Sequence, residues 1–366
     1  MTSSRHLTRF AAMAAIAALA AGFLPITAPA QATPRAAASP TAGLYGAADP
    51  TYDGVYRQSL AIMGLAANNR RPATAAITWL LSQQCSSGAF QSFRDDLSKP
   101  CAAPDPVNFT GPDTNSTATA AMALMSLLDL NGAQALSGAL RSRVVTAAAS
   151  AVPWLGKQQN ADGGFPWTSG GASDANSTGL SLSALLTQAP NDPFPAQKKA
   201  TRYLGSLSLD CAKGGGLAFQ GGGAVNASAT AQGLVGLSGP MPIRSPQNVA
   251  VSAPCANTGR AKAVSYLAKA LGTTGTLSSP YGGEADYANT AAAVLGLVAA
   301  GQGRAAVARA TGVLKAQASA FTTHSGGPDP GALGLLLMVA RATGTAPTSF
   351  GGVNLVSSLT ASLRTA

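Results

Sequence analysis

The chain has 366 residues, with 24 Lys+Arg against 14 Asp+Glu, four Cys and two His. Hydrophobic residues make up 46% and charged residues only 10%, which excludes a highly charged disordered chain, and the length suits two average domains or one large repeat-built one. The net charge of +10 is scattered, with no basic stripe carrying interleaved aromatics, so the composition points away from nucleic acid.

Met1 to Arg9 carries Arg5, His6 and Arg9 and no acid, Phe10 to Leu24 is apolar, and Ala30-Gln31-Ala32 follows. Residues 1–32 therefore read as a secretory signal peptide cleaved near Ala32, which makes the protein secreted or extracytoplasmic. An uncleaved anchor is the alternative, disfavoured because the apolar run is short for a span. No later segment reaches about 18 apolar residues without a charge, so no transmembrane segment is expected in the mature chain. Residues 33–48, rich in Ala, Pro and Thr, read as a flexible leader.

Export makes disulfides plausible, and four Cys allow three connectivities. Neighbour pairing, Cys85 with Cys101 and Cys211 with Cys255, is the expected one. Each pair would close a loop rich in Gly, Pro and Ser. None of the four forms a C-x-x-C, and no metal site is expected.

Residues 49–345 repeat one unit: a helix with Trp or Tyr, a Gly-rich loop, an Asp/Asn cap and an apolar helix. Trp79 to Gln84 leads through Gly88 and Phe90 to Asp113-Thr114-Asn115-Ser116-Thr117 and the apolar run to Leu128. Trp154 to Gln159 leads through Gly163 and Phe165 to Asp174-Ala175-Asn176-Ser177-Thr178 and a run to Leu186. Weaker copies reach Asn226, Asp286-Tyr287-Ala288-Asn289-Thr290 and Asp329, and Tyr52-Asp53 opens a half unit.

The Asp/Asn clusters stand where a helix start needs acceptors for its free N–H groups. The helices that follow are apolar nearly all round and belong inside; the Trp/Tyr helices carry Lys, Arg and Gln and form an outer layer. Gly64, Gly179, Gly236 and Gly296 within the inner helices suggest close helix–helix approach. The expectation is an all-α fold, an α/α toroid (roughly an α6/α6 barrel) built from helix-pair repeats, with an open solenoid as the alternative. Residues 346–366 form a C-terminal tail that can be ordered or not.

Gln159-Asn160-Ala161-Asp162-Gly163-Gly164-Phe165 resembles the Gln-x-x-Asp-Gly-x-Phe/Trp repeat of squalene–hopene cyclases and protein prenyltransferase β subunits. The first copy, Gln84 to Phe90, keeps Gly88 and Phe90 but has Ser87 in place of Asp. The resemblance covers roughly residues 50 to 345 and implies the toroid; transcobalamin-type toroids are more distant. The catalytic signatures are missing. There is no Asp-x-Asp-Asp, and Asp95-Asp96 is the only adjacent acid pair. Where the prenyltransferases place zinc-binding Cys and His, this chain has Asn176 and Asn289, and an amide is a poor Zn²⁺ ligand.

What remains is a ring of inner-helix starts with free N–H groups and partial positive charge. Asp113, Asn115, Asp174, Asn176, Asn226, Asp286 and Asn289 would supply polar groups, and Trp167, Tyr281 and Tyr287 would stack on a flat ligand. No catalytic residue is assigned. The expected function is a non-catalytic toroid that holds a bulky small molecule, cobalamin-like or terpenoid, or a protein partner at the cavity mouth. Cobalamin is the one ligand the resemblance names, and no cofactor is otherwise expected. Two alternatives stand: a terpene-cyclase or prenyl-transfer enzyme using Asp174 and Asp286, and a structural envelope protein.

Overall fold

The most buried helices, all but the first, begin where the sequence sets a side-chain acceptor before an apolar run. The computed structural model describes residues 41–187, 195–251, 254–280, 282–324 and 326–365. The expected signal peptide, residues 33–40 of the expected leader and Tyr281 lie outside the described residues. Among those described are thirteen α-helices. They are α1 (Gly54–Ala67), α2 (Thr74–Ser82), α3 (Thr114–Leu128), α4 (Gly138–Gly156), α5 (Ala175–Leu186), α6 (Pro195–Ser206) and α7 (Ala227–Ser238). There follow α8 (Gly259–Thr274), α9 (Tyr287–Ala300), α10 (Arg304–Ala316), α11 (Ala318–Thr322), α12 (Pro330–Thr343) and α13 (Leu355–Ala361). The protein is predominantly helical. No described helix is long and apolar enough to cross a membrane.

Six helices bury most of their length: α1, α3, α5, α7, α9 and α12. In chain order each packs on the next, and α12 packs back on α1. A second set covers them from outside: α2 on α1, α4 on α3, α6 on α5, α8 on α7, α10 on α9 and α13 on α12. The outer helices bury one face only. Helix α4 buries Val144, Ala147, Ala148, Ala151, Val152 and Leu155 at helical spacing and exposes Arg141 and Arg143.

The inner helices run in one direction. The C-terminal ends of α3, α5, α7 and α9 meet around a single cavity through Asp129, Thr187, Ser238 and Ala299. Neighbours approach to backbone contact where glycine permits it. A Cβ on Gly179 of α5 would stand 2.4 Å from the Gln232 carbonyl oxygen of α7, and one on Gly334 of α12 would stand 2.3 Å from that of Leu60 in α1. Gly64 and Gly236 belong to the same two contacts, so the glycines seen in the sequence mark packing.

Among the described residues, the Gly-rich loops contain three two-stranded antiparallel hairpins that an all-helical reading does not anticipate. They are β1 (Phe165–Pro166) with β2 (Ser173–Asp174), β3 (Leu277–Ser278) with β4 (Ala285–Asp286), and β5 (Thr323–His324) with β6 (Gly327–Pro328). Each delivers the chain to an inner-helix cap: Asp174, Asp286 or Asp329.

Two disulfides, Cys85–Cys101 and Cys211–Cys255, close loops with sequence separations of 16 and 44. This is the neighbour pairing expected from the sequence.

The leader and tail boundaries need correction. Leu44 and Tyr45 are buried within the expected leader, and Tyr45 bridges Leu363. Gly43 N donates to Arg364 O and Gly46 N to Ser362 O. Gln58 of α1, fully buried, accepts from Tyr45 N at 3.0 Å and donates to Gly43 O at 2.9 Å and to Ala76 O at 3.1 Å. Phe350, Leu355 and Leu359 of the expected tail are also buried. The packed unit therefore extends from about residue 43 to 364, because an apolar Leu-Tyr step and a short amphipathic helix cover the last inner pair.

Candidate functional site

Every acid expected at the mouth is engaged as a helix cap. Asp113 accepts from Ser116 N at 2.7 Å and Asp174 from Ser177 N at 2.8 Å. Asn226 accepts from Ala229 N at 2.8 Å, Asp286 from Asn289 N at 2.9 Å and Asp329 from Ala332 N at 3.0 Å. Asp53 of α1 makes no such bond; its carboxylate pairs instead with Arg57 at 2.7 Å.

Burial pushes Asp113 up to about 6, opposed by N–H donors of Ser116 and Asn115 and by the Trp167 side chain. Burial pushes Asp174 up to about 6 as well, opposed by Ser177 and Asn176. The mechanism is desolvation of the anion, only partly answered by the helix N–H groups.

Three of the remaining expected residues are also engaged. Asn289 donates to Asp286 at 2.7 Å and accepts from Gln232 Nε2 at 3.0 Å, which ties α9 to α7. Trp167 stacks on Phe109 with ring centroids 4.6 Å apart and planes at 19°. Tyr287 meets Phe321 at 5.7 Å, tilted by 53°. The stacked Trp167 thus keeps one face against Phe109 and can offer at most the other.

Asn115 and Asn176 differ. Their Oδ1 atoms are buried without a hydrogen-bond partner, as is Ser228 Oγ. All three sit two residues after a cap, on three consecutive inner helices. Their orientation follows from the cap-plus-four threonines. Thr117 accepts from Phe90 N, Thr178 from Phe165 N and Thr230 from Leu217 N, each at 2.9 Å, so these threonines face the loops and outer layer. Two residues earlier is a rotation of about 200°, so Asn115, Asn176 and Ser228 face inward. At the same position α9 and α12 carry Ala288 and Gly331. The inner-helix starts thus carry polar residues on α3, α5 and α7 and small ones on α9 and α12.

The glutamine repeat is structural. Gln159 Nε2 donates to Gly163 O at 2.9 Å and to Ala196 O at 2.7 Å; Gln84 makes the equivalent pair to Gly88 O and Ala147 O. Asp162 accepts from Gly164 N and Ser173 Oγ. The motif fastens a loop to its own repeat and to the next outer helix, and no catalytic geometry is needed to account for it.

Sequence reasoning missed Ser228 and the threonines. Their signal was present as a threonine four places after Asp113, Asp174, Asn226 and Asp286, and as the serine two places after Asn226.

No protein-family model and no curated protein matches the chain. A crystal structure of a protein from Actinoplanes aligns with 79% of this chain and 100% of that one, at 14% identity and a TM-score of 0.35. A likeness that weak carries no argument.

Proposed function

We propose that the protein is a secreted, non-catalytic α/α toroid that binds a bulky, partly polar small molecule at the mouth formed by the inner-helix starts. The carrying observation is the set of three inward acceptors, Asn115 Oδ1, Asn176 Oδ1 and Ser228 Oγ, buried with no partner. An unsatisfied buried acceptor costs roughly 1–3 kcal/mol, and a ligand hydroxyl or amide donor would remove that penalty. The return of α12 onto α1 supports the toroid, since an open solenoid leaves its first and last helices apart. Two disulfides fit an oxidising compartment. A corrinoid such as cobalamin and a hydroxylated terpenoid are both bulky and partly polar.

The test is native mass spectrometry of the mature protein, disulfides intact, after exposure to extract of its own host. The expected result is one defined adduct that the Asn115→Ala/Asn176→Ala double variant loses without a fall in melting temperature. An adduct retained in full by the double variant overturns the assignment of the site, and a clean apo mass from the native protein overturns the binding reading.

One observation favours the enzyme alternative. Asp113 and Asp174 lie near 6, where a carboxyl can hold or give up a proton. Both are committed to capping, which makes this the second reading. Turnover of a prenyl substrate that Asp174→Asn abolishes would establish it.

A further inference from the structure

The far end of the helix ring carries a different site. Residues 239–247, between α7 and α8, cross the C-terminal ends of the inner helices. They are held by Ser183 Oγ to Gly239 O at 3.2 Å, by Arg341 Nε to Arg244 O at 2.6 Å and by Gln247 N to Ala342 O at 3.2 Å. Beneath them lies a cavity of about 370 Å³, within the range of roughly 300–1,000 Å³ usual for small-ligand sites. Its apolar wall includes Met125, Met241 and Ile243. Ser238 also lines it, and its hydroxyl oxygen is buried without a partner.

The electrostatics select the sign of an occupant. Four helix C-termini, those of α3, α5, α7 and α9, contribute to the lining, and a helix C-terminus carries partial negative charge. Asp129, the C-cap of α3, adds a full one. The loop answers with its own cation: Arg244 reaches Asp129 Oδ2 at 2.6 Å and the Ser126 carbonyl at 3.3 Å. That pair is weakly held, since the Asp129 side chain is 58% exposed and water competes for it. Burial also lowers the Arg244 pKa, with Asp129 opposing. An anion entering here would meet Asp129 and four carbonyl-bearing helix ends, with Arg244 the one cationic lining residue and already drawn to Asp129, whereas a cation would meet what Arg244 already meets.

We infer that the cavity beneath residues 239–247 binds a small cation with an apolar body, of the alkylammonium class, whose charged head takes the place of Arg244 on Asp129 and the Ser126 carbonyl. Its alkyl body lies along Met125, Met241 and Ile243, and a second N–H reaches Ser238 Oγ. The site is independent of the one at the helix starts, so the two stand or fall separately.

The probe is n-hexylammonium, with hexanoate as the anion of the same body, titrated by calorimetry at constant ionic strength into the mature disulfide-bonded protein. Hexylammonium binds and hexanoate does not. Arg244→Ala, which removes the internal competitor, tightens hexylammonium about tenfold, and Asp129→Asn weakens it by at least about tenfold. Ser238→Leu, which fills the cavity and leaves Arg244 and Asp129 in place, abolishes binding and keeps the assay decisive if Arg244→Ala fails to fold. Equal binding of hexanoate, no effect of Asp129→Asn, or no heat from hexylammonium with the native protein overturns the inference. Asn115→Ala/Asn176→Ala leaves hexylammonium binding unchanged.

Discussion

Asp113 and Asp174 hold their carboxyls where water scarcely reaches, and both stand at about 6 instead of 3.8. A carboxyl raised in the folded state binds more protons folded than unfolded. Its contribution is complete below about pH 4 and is lost as pH rises through 6. One pKa unit corresponds to about 1.4 kcal/mol, so each carboxyl bears on stability by at most on the order of 3 kcal/mol. The melting temperature should therefore fall between pH 4.5 and 7.5. Asp113→Asn/Asp174→Asn keeps an oxygen for each cap bond and should flatten that slope; an unchanged slope in scanning calorimetry would show that these carboxyls are not its source. Asp96 and Asp105 act in the opposite sense. Side-chain bonds from Ser98 and Asn108 hold them below the ordinary value, so their contribution fades only as the solution becomes more acid than about pH 4.

At the scale of elements, the chain's two ends behave as one. Residues 43–46 pair with 362–364, and α13 covers α12 with Leu355 and Leu359. Deleting residues 346–366 removes the buried Phe350 as well, and a large core side chain lost in this way costs roughly 3–5 kcal/mol. The truncated protein should lose its single sharp denaturation transition and bind a hydrophobic dye. A transition as sharp as that of the full chain would sink this account. The same scale shows why some features were legible and others were not. A cap and its N–H donor lie three residues apart, so Asp113, Asp174, Asn226 and Asp286 announce themselves locally. Apolar content all round a helix likewise separates inner from outer. By contrast, the acceptor that occupies Gln232 is Asn289, 57 positions away, and the partner of Gln58 is a main-chain group in what composition alone marks as leader. Such bonds depend on which elements become neighbours. Two-residue strands are too short to leave a period, and residues 239–247 read only as a Pro-containing loop until the helix ends beneath them are placed.

For the whole molecule, the disulfides act on the unfolded chain more than on the folded one. Loops of 16 and 44 residues correspond to about 3 and about 4 kcal/mol of lost chain entropy when cross-linked. Reduction should lower the melting temperature, with Cys211→Ser/Cys255→Ser costing more than Cys85→Ser/Cys101→Ser. The reverse order in chemical denaturation would mean that native-state contacts near residues 85–101 dominate. The candidate ligand mouth was legible to the extent that its residues could be named. Its polarity was not, because whether Asn115 is free and Asn289 is spent depends on the neighbouring helix.

The pairing of residues 43–46 with 362–364 also fixes an order of events during biosynthesis. A ribosome delivers the first of these segments at the start of the domain and the second within its final residues. Tyr45 has no Leu363 to bridge, and Gly43 no Arg364 carbonyl to bond, until residues 363 and 364 have been made. The seam between first and last repeat is therefore the last joint of the ring to become available as the chain grows. A chain interrupted before residue 362 would leave the seam between α12 and α1 without this pairing, however well the repeats between had already packed.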